Sequence, residues 1–187
     1  INAGAALELK NGSNVKTEAA TAIMASGEVH ITDCDVRGKE IEILMTGGKK
    51  ASAMLHSGEV SGKEAGVLVD GGSFTMDGGT INGGKTGILV TGPKCRLTIK
   101  DGAVNAGEVA LCVQKGSSIQ LSGGTFTGDK NAIFAENGTM KNWLAKDCEM
   151  SGDGLPDLFD PASESETGPG TVRIVEADYV GKAEKAN

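Results

Sequence analysis

The side chains of this sequence that are best equipped for chemistry are few and scattered. A carboxylate pair stands in "DCD", Asp33 and Asp35, where alternation along a strand would bring both side chains out on one side. Paired carboxyls are the material of general acid–base work or of a hard-cation site. The two histidines are His30, in "EVHIT", and His56, in "MLHSG". Cys34, Cys95, Cys112 and Cys148 make an even count that invites a disulfide proposal in a secreted chain, and their spacing matches no zinc motif. Lys39, Lys63, Lys85 and Lys130, with Glu108 in the same series, follow a recurring Gly at nearly regular intervals. Such a basic stripe would suit a sulfated or carboxylated glycan, with Glu40, Glu64 and Asp129 diluting its field.

Which of these groups can meet depends on a repeat that runs through most of the chain. The stretch "GVLVDGGSFTMDGGTINGGKTGILVTG" starts on a Gly-aliphatic-Leu-Val phrase and returns to it within one line. The leading aliphatics Ile23, Ile43, Val67, Ile88, Leu111 and Ile133 step by 20, 24, 21, 23 and 22 residues. A closing apolar marker at Val36, Val60, Ile81, Val104, Phe126 and Met150 steps by 24, 21, 23, 22 and 24. Each unit holds three short apolar or alternating segments parted by Gly, Asp, Asn or Ser, none long enough for a helix. Three strands per unit, no helix and about 22 residues per unit predict an all-β, right-handed parallel β-helix of about six to seven coils over residues 1–151. Composition agrees: with 29 Gly and 3% aromatics, the interior must be built from Val, Ile, Leu, Met, Ala and Cys in many similar layers.

The repeat assigns structural roles to much of the reactive inventory. Asp33, Ser57, Asp77, Asp101, Ser122 and Asp147 fall three or four residues before the closing marker, as a column of turn side chains bonding to backbone. Asp33 then belongs to a turn rather than to a catalytic pair. Cys34, Gly58, Gly79, Gly102, Gly124 and Cys148 form a small-residue column beside it, and Arg37, Ser61, Asn82, Asn105, Thr127 and Ser151 an outward polar one. Cys34 and Cys148 stand five coils apart, about 24 Å at strand spacing, too far for a disulfide. Cys95 and Cys112 lie in different segments of adjacent coils, so four free thiols are expected. Phe134, Met140 and Trp143 thicken the last coil, as an end that must close its core requires. Beyond it, residues 152–170 read as an acidic, Pro/Gly-rich loop or linker, and residues 171–187 as an extra strand, "TVRIVEADYV", and a tail.

Units such as "SFTMDGGTING" and "SSIQLSGGTFTG", alternating with "GILVTG", resemble the right-handed β-helix passenger domains of bacterial autotransporters, the pertactin-like group of the pectin-lyase-like superfold. The resemblance covers about residues 5–151. It departs from that family in its four cysteines, since such passengers usually carry very few. It implies a secreted or bacterial cell-surface module, adhesin or effector, that contacts a host-cell receptor, matrix protein or glycan through outer turns. It also implies a longer precursor with a C-terminal membrane β-barrel, and the chain does begin partway through its own pattern. The superfold also hosts polysaccharide lyases and glycoside hydrolases, the alternative reading. Lyase-like chemistry pairs an acidic calcium site with a basic residue; hydrolase-like chemistry sets several Asp beside a Gly-His-Gly phrase. Neither histidine lies in such a phrase and no Asp-Asp pair occurs, so no catalytic residue, metal or cofactor is assigned. Residues 1–151 hold 17 acidic and 15 basic side chains and residues 152–187 hold 8 and 3, a balance that argues against nucleic acid held by a general basic field.

Overall fold

Short apolar stretches stopped every few residues by Gly, Asp or Ser cannot sustain a helix, and here they form strands that stack coil upon coil. The computed structural model describes residues 1–48, 50–114, 117–135, 140–153 and 168–177. Three sheets run along the solenoid. The first contains Ala6–Leu9, Glu28–Ile31, Ser52–Leu55, Ser73–Met76, Arg96–Ile99 and Ser118–Leu121. The second begins with Asn14–Lys16, Cys34–Arg37, Gly58–Gly62, Thr80–Gly83, Ala103–Ala106 and Thr125–Gly128. The third contains Thr21–Ala25, Ile41–Met45, Ala65–Val69, Thr86–Val90, Val109–Val113 and Asn131–Ala135. All of these strands pair in parallel with their counterparts on the next coil, about 4.8 Å away.

Register across the coils turns the repeat into columns. Ile23, Ile43, Val67, Ile88, Leu111 and Ile133 stack in order in the third sheet, each at most 5% exposed. Val36, Val60, Ile81, Val104 and Phe126 do the same in the second, fully buried. Phe74 is buried between Ala53 and Leu97 in the first, so a ring is accommodated where the coil below supplies a methyl group. Cys34, Gly58, Gly79, Gly102 and Gly124 share the bend into the second sheet. Each of the four glycines has positive φ, and a Cβ on Gly58 would run into the Cys34 carbonyl oxygen. Where cysteine occupies the bend, the preceding aspartate takes the left-handed turn instead, at Asp33 (φ 54°) and Asp147 (φ 62°).

Two expectations are corrected at this level. Asp77 and Ser122 do not align with Asp33, Ser57 and Asp101. Pairing of Leu55 with Met76, of Met76 with Ile99 and of Ile99 with Leu121 puts them one position earlier, in a column with His56 and Lys100. Met150 does not stack on Phe126. The strand Gly170–Glu176 inserts between Thr125–Gly128 and Cys148–Gly152, antiparallel to both, so Val172 lies beside Phe126 and Ile174 beside Met150. The C-terminal strand is therefore part of the solenoid end, whereas most of the acidic loop expected over residues 152–170 lies outside the described residues. Trp143 (9% exposed) and Met140 (2%) complete the closure, with Leu121 and Leu144 joined by a single parallel bridge.

Candidate functional site

The lysine edge lies at the corner between the second and third sheets, and register divides it into two columns. Extending the pairing of Ile41, Ala65, Thr86, Val109 and Asn131 back by one residue aligns Glu40, Glu64, Lys85, Glu108 and Lys130. Backbone hydrogen bonds follow that alignment, from Glu64 N to Glu40 O and from Lys130 N to Glu108 O. Lys39 and Lys63 stand in the neighbouring column with Gly84, Gly107 and Asp129. All four lysines are exposed. Lys85 Nζ lies 2.6 Å from Glu64 Oε2, and Lys130 Nζ lies 2.9 Å from Glu108 Oε2. The Glu64 hydrogen bond holds Lys85 above its ordinary range, and Lys130 holds Glu108 below its own. From Glu64 to Lys130 this column alternates in sign, so within it the repulsion of like charges at coil spacing is confined to the Glu40–Glu64 step.

The two carboxylates of "DCD" do not form a pair for catalysis. The left-handed turn at Asp33 takes it out of the strand, which begins at Cys34, while Asp35 faces Arg37 at 3.7 Å. A tighter group of titratable residues forms on the outer first sheet, across coils. His56 Nδ1 lies 3.0 Å from Asp77 Oδ2, and Lys100 Nζ lies 2.8 Å from Asp77 Oδ1. The His30 ring stacks on His56 with centroids 5.8 Å apart, and its Nε2 lies 2.9 Å from Glu28 Oε1. Lys100, and then His56, hold the Asp77 carboxyl below its ordinary value. A neutral His56 ring with its proton on Nδ1 would donate to Asp77 and leave Nε2 as an acceptor. Among the described residues no cluster of three or more His, Cys, Asp or Glu is arranged to hold a metal.

A longer surface feature stands on the outside of the third sheet. Met24, Leu44, Leu68, Leu89, Cys112 and Phe134 stack in register as an outward apolar column spanning six coils. Met24 is 56% exposed and the other five are half-buried, each covering part of the next. Polar residues flank the column on one side, where Ser26 Oγ meets Thr46 Oγ1 at 3.2 Å and Thr91 Oγ1 donates to Asp70 at 3.1 Å. The charged ladder borders the strands on the other side. A contiguous apolar strip with a polar rim is the surface pattern of interaction sites. The signal is present in the sequence, as the third residue of "AIMA", "EILM", "GVLV", "GILV", "ALCV" and "AIFA", each following an inward aliphatic.

None of the four cysteines is joined in a disulfide. Cys34 and Cys95 are buried, the first with Sγ 3.1 Å from Thr32 O and the second 3.5 Å from Val69 O. Comparison with models of protein families, with curated proteins and with solved structures finds no match for this chain.

Proposed function

We propose that this chain is an extracellular partner-binding module, presented at a bacterial surface or secreted, whose outer third sheet receives a host-cell surface receptor or matrix protein. The observation that carries this reading is the apolar column from Met24 to Phe134 on a scaffold whose neighbouring coils lock one another in place. Five steps of about 4.8 Å make the strip about 24 Å long, and five-residue strands give the face roughly 400 Å². That is about half of what each partner buries in a stable dimer, so a second copy on this face alone is undersized. One apolar stripe of an amphipathic helix about 16 residues long fits the strip, and the flanking ladder of Glu40, Glu64, Lys85, Glu108 and Lys130 supplies a polar rim. In this reading Lys39, Lys63, Lys85 and Lys130 steer and orient the partner rather than anchor it. An autotransporter passenger, carried by a precursor with a C-terminal membrane β-barrel, is the delivery route that best suits such a module.

The test is binding of the labelled chain to cultured epithelial cells and to immobilised matrix proteins. Leu68→Asp together with Leu89→Asp should abolish binding while the far-UV circular dichroism stays that of a β-protein. Serine at Lys39, Lys63, Lys85 and Lys130 should weaken binding severalfold, and the lysine-dependent part should fade as the Debye length shortens toward about 3 Å near 1 M salt. Full binding by the Leu68/Leu89 double variant refutes the reading.

A second reading, cleavage of an acidic polysaccharide, is favoured by the oriented Asp77–His56 pair beside Lys100 on an outer sheet. A glycan-cleavage assay with and without calcium, repeated on His56→Gln, decides it: activity that survives this substitution leaves the pair without a role.

A further inference from the structure

The corner that joins the third sheet to the first holds an open cleft of about 540 Å³, lined by Gly72, Ser73, Lys94, Arg96, Ser117 and Ser118, with Cys95 beside them. Register explains why these residues meet. Ser73, Arg96 and Ser118 pair in sequence across three coils in an outward column of the first sheet, and Gly72, Cys95 and Ser117 precede them by one residue. The cleft is therefore about 10 Å tall along the solenoid. Lys94 stands in the bend before Arg96 with φ 69°, a left-handed conformation unfavourable for a side chain with a Cβ. An unfavourable backbone state at an exposed cation is an outlier of the kind that gathers at binding sites.

The charge environment differs from that of the lysines held in ion pairs between coils and resembles that of Lys39 and Lys63. Lys85, Lys100 and Lys130 each lie within 3 Å of a carboxylate oxygen, at 2.6, 2.8 and 2.9 Å. Among the described residues Lys94 and Arg96 have no such partner, and no carboxylate lines the cleft. Asp70, on the coil below, accepts a hydrogen bond from Thr91 and is not part of the lining. The hydroxyls divide by function. Ser117 Oγ donates to Gly92 O at 3.0 Å and Ser73 Oγ to Ala51 O at 3.4 Å, so both present lone pairs to the cleft. Two cations beside hydroxyl oxygens that accept match a ligand carrying an oxyanion together with hydroxyl donors.

We infer that this cleft binds an acidic saccharide, with Arg96 and Lys94 on its carboxylate or sulfate and Ser73 and Ser117 accepting from ring hydroxyls. A volume of about 540 Å³ suits a saccharide of one or two rings. The site lies on a different face from the third-sheet strip, and the inference stands apart from the partner-protein reading.

The experiment is calorimetric and NMR titration of the whole chain with three probes: a sulfated heparin disaccharide, digalacturonate and cellobiose. At least one acidic probe should bind and cellobiose should not; the tighter of the two identifies the anion. Lys94→Gly relieves the left-handed backbone, so its melting temperature should hold or rise while affinity falls about tenfold, and Arg96→Gln should lose at least as much. Lys16→Ser, an exposed cation on the second sheet, should bind as the parent does. The inference is overturned if neither acidic probe binds at millimolar concentration, if Lys94→Gly and Arg96→Gln bind normally, or if the Lys16→Ser variant loses as much.

Discussion

Replacing Glu42 by Gln should stabilise this fold at neutral pH and flatten its dependence on pH. Register aligns Glu42 with Ala22, Gly66, Gly87, Ala110 and Ala132, a small-residue column at the start of the third-sheet strands. Glu42 is the exception, and it is fully buried. Oε1 accepts from Gly38 N at 2.9 Å, while Oε2 has no hydrogen-bond partner. The carboxyl fits because position 62 is glycine, whose Cβ would overlap it. Burial pushes the Glu42 pKa from 4.5 to about 7, and the Gly38 hydrogen bond offsets only part of that. Between these two values the folded chain keeps a proton that the unfolded chain releases. Stability from this group is thus complete below about pH 4.5, falls as pH rises, and reaches its full loss above about 7. The difference corresponds to about 3 kcal/mol, or roughly 6 to 12 °C in melting temperature for a chain of this size. Urea unfolding of both proteins from pH 4 to 8 isolates the effect, because all other titrations cancel in the difference. The Glu42→Gln variant should match the parent near pH 4 and exceed it by about 3 kcal/mol at pH 8. Parallel curves across that range would refute the assignment of a buried carboxyl that holds its proton above pH 4.5.

Two further outcomes follow from the columns. Ile88→Asp puts a carboxylate between apolar layers, where Ile88 is fully buried, and should cost more than about 4 kcal/mol or prevent folding. Asn105→Asp, outward and losing chiefly the 3.0 Å bond to Asn82 Oδ1, should cost about 1 kcal/mol; thermal melts rank the two. Alkylation under denaturing, non-reducing conditions should add four groups by intact mass. Under native conditions the buried Cys34 and Cys95 should be protected far more than the half-buried Cys112 and Cys148, and a protected pair after denaturation would overturn the register.

The architecture was legible because every coil restates it: an inward aliphatic, a bend residue and a closing apolar residue recur in each unit, and one misassigned coil is corrected by its neighbours. Sites were less legible because they form between coils. Asp77 precedes two glycines in "MDGGT", whereas Asp101 precedes one in "KDGAV", so counting from the closing marker misplaces it by one residue. That slip hides its meeting with His56 and Lys100, 21 and 23 residues away in sequence. The lysine stripe divides for the same reason: Lys39 and Lys63 directly follow Gly38 and Gly62, but an extra residue stands before Lys85 and before Lys130. Glu42 was unreadable, since an acid in a strand normally faces water and only the neighbouring Gly62 makes room for it inside. The direction of the C-terminal strand was equally hidden. A repeat implies parallel addition, and "TVRIVE" carries no mark of reversal.

That reversal matters for what the molecule can present. A parallel coil added at this end would leave a parallel edge, whereas here the reversed strand is held on both sides and Cys148–Gly152 becomes the outermost strand. Thr127 and Thr171 hydroxyls meet at 3.0 Å, Ala132 N donates to Gly168 O at 3.1 Å, and Thr171 N donates to Asp153 Oδ1 at 2.8 Å. Val172, fully buried, covers Phe126 where the last coil would otherwise expose its core, and Trp143 and Met140 seal the space beside it. The interior is thereby closed by residues that take no part in the outer faces. Each coil contacts only its neighbours, so side chains on the outer third sheet and at the cleft can change without disturbing the layers beneath them. A scaffold of this kind separates stability from recognition. Its inward columns tolerate little, and its outward columns, the apolar strip from Met24 to Phe134 and the cationic cleft at Lys94 and Arg96, are where binding chemistry can accumulate.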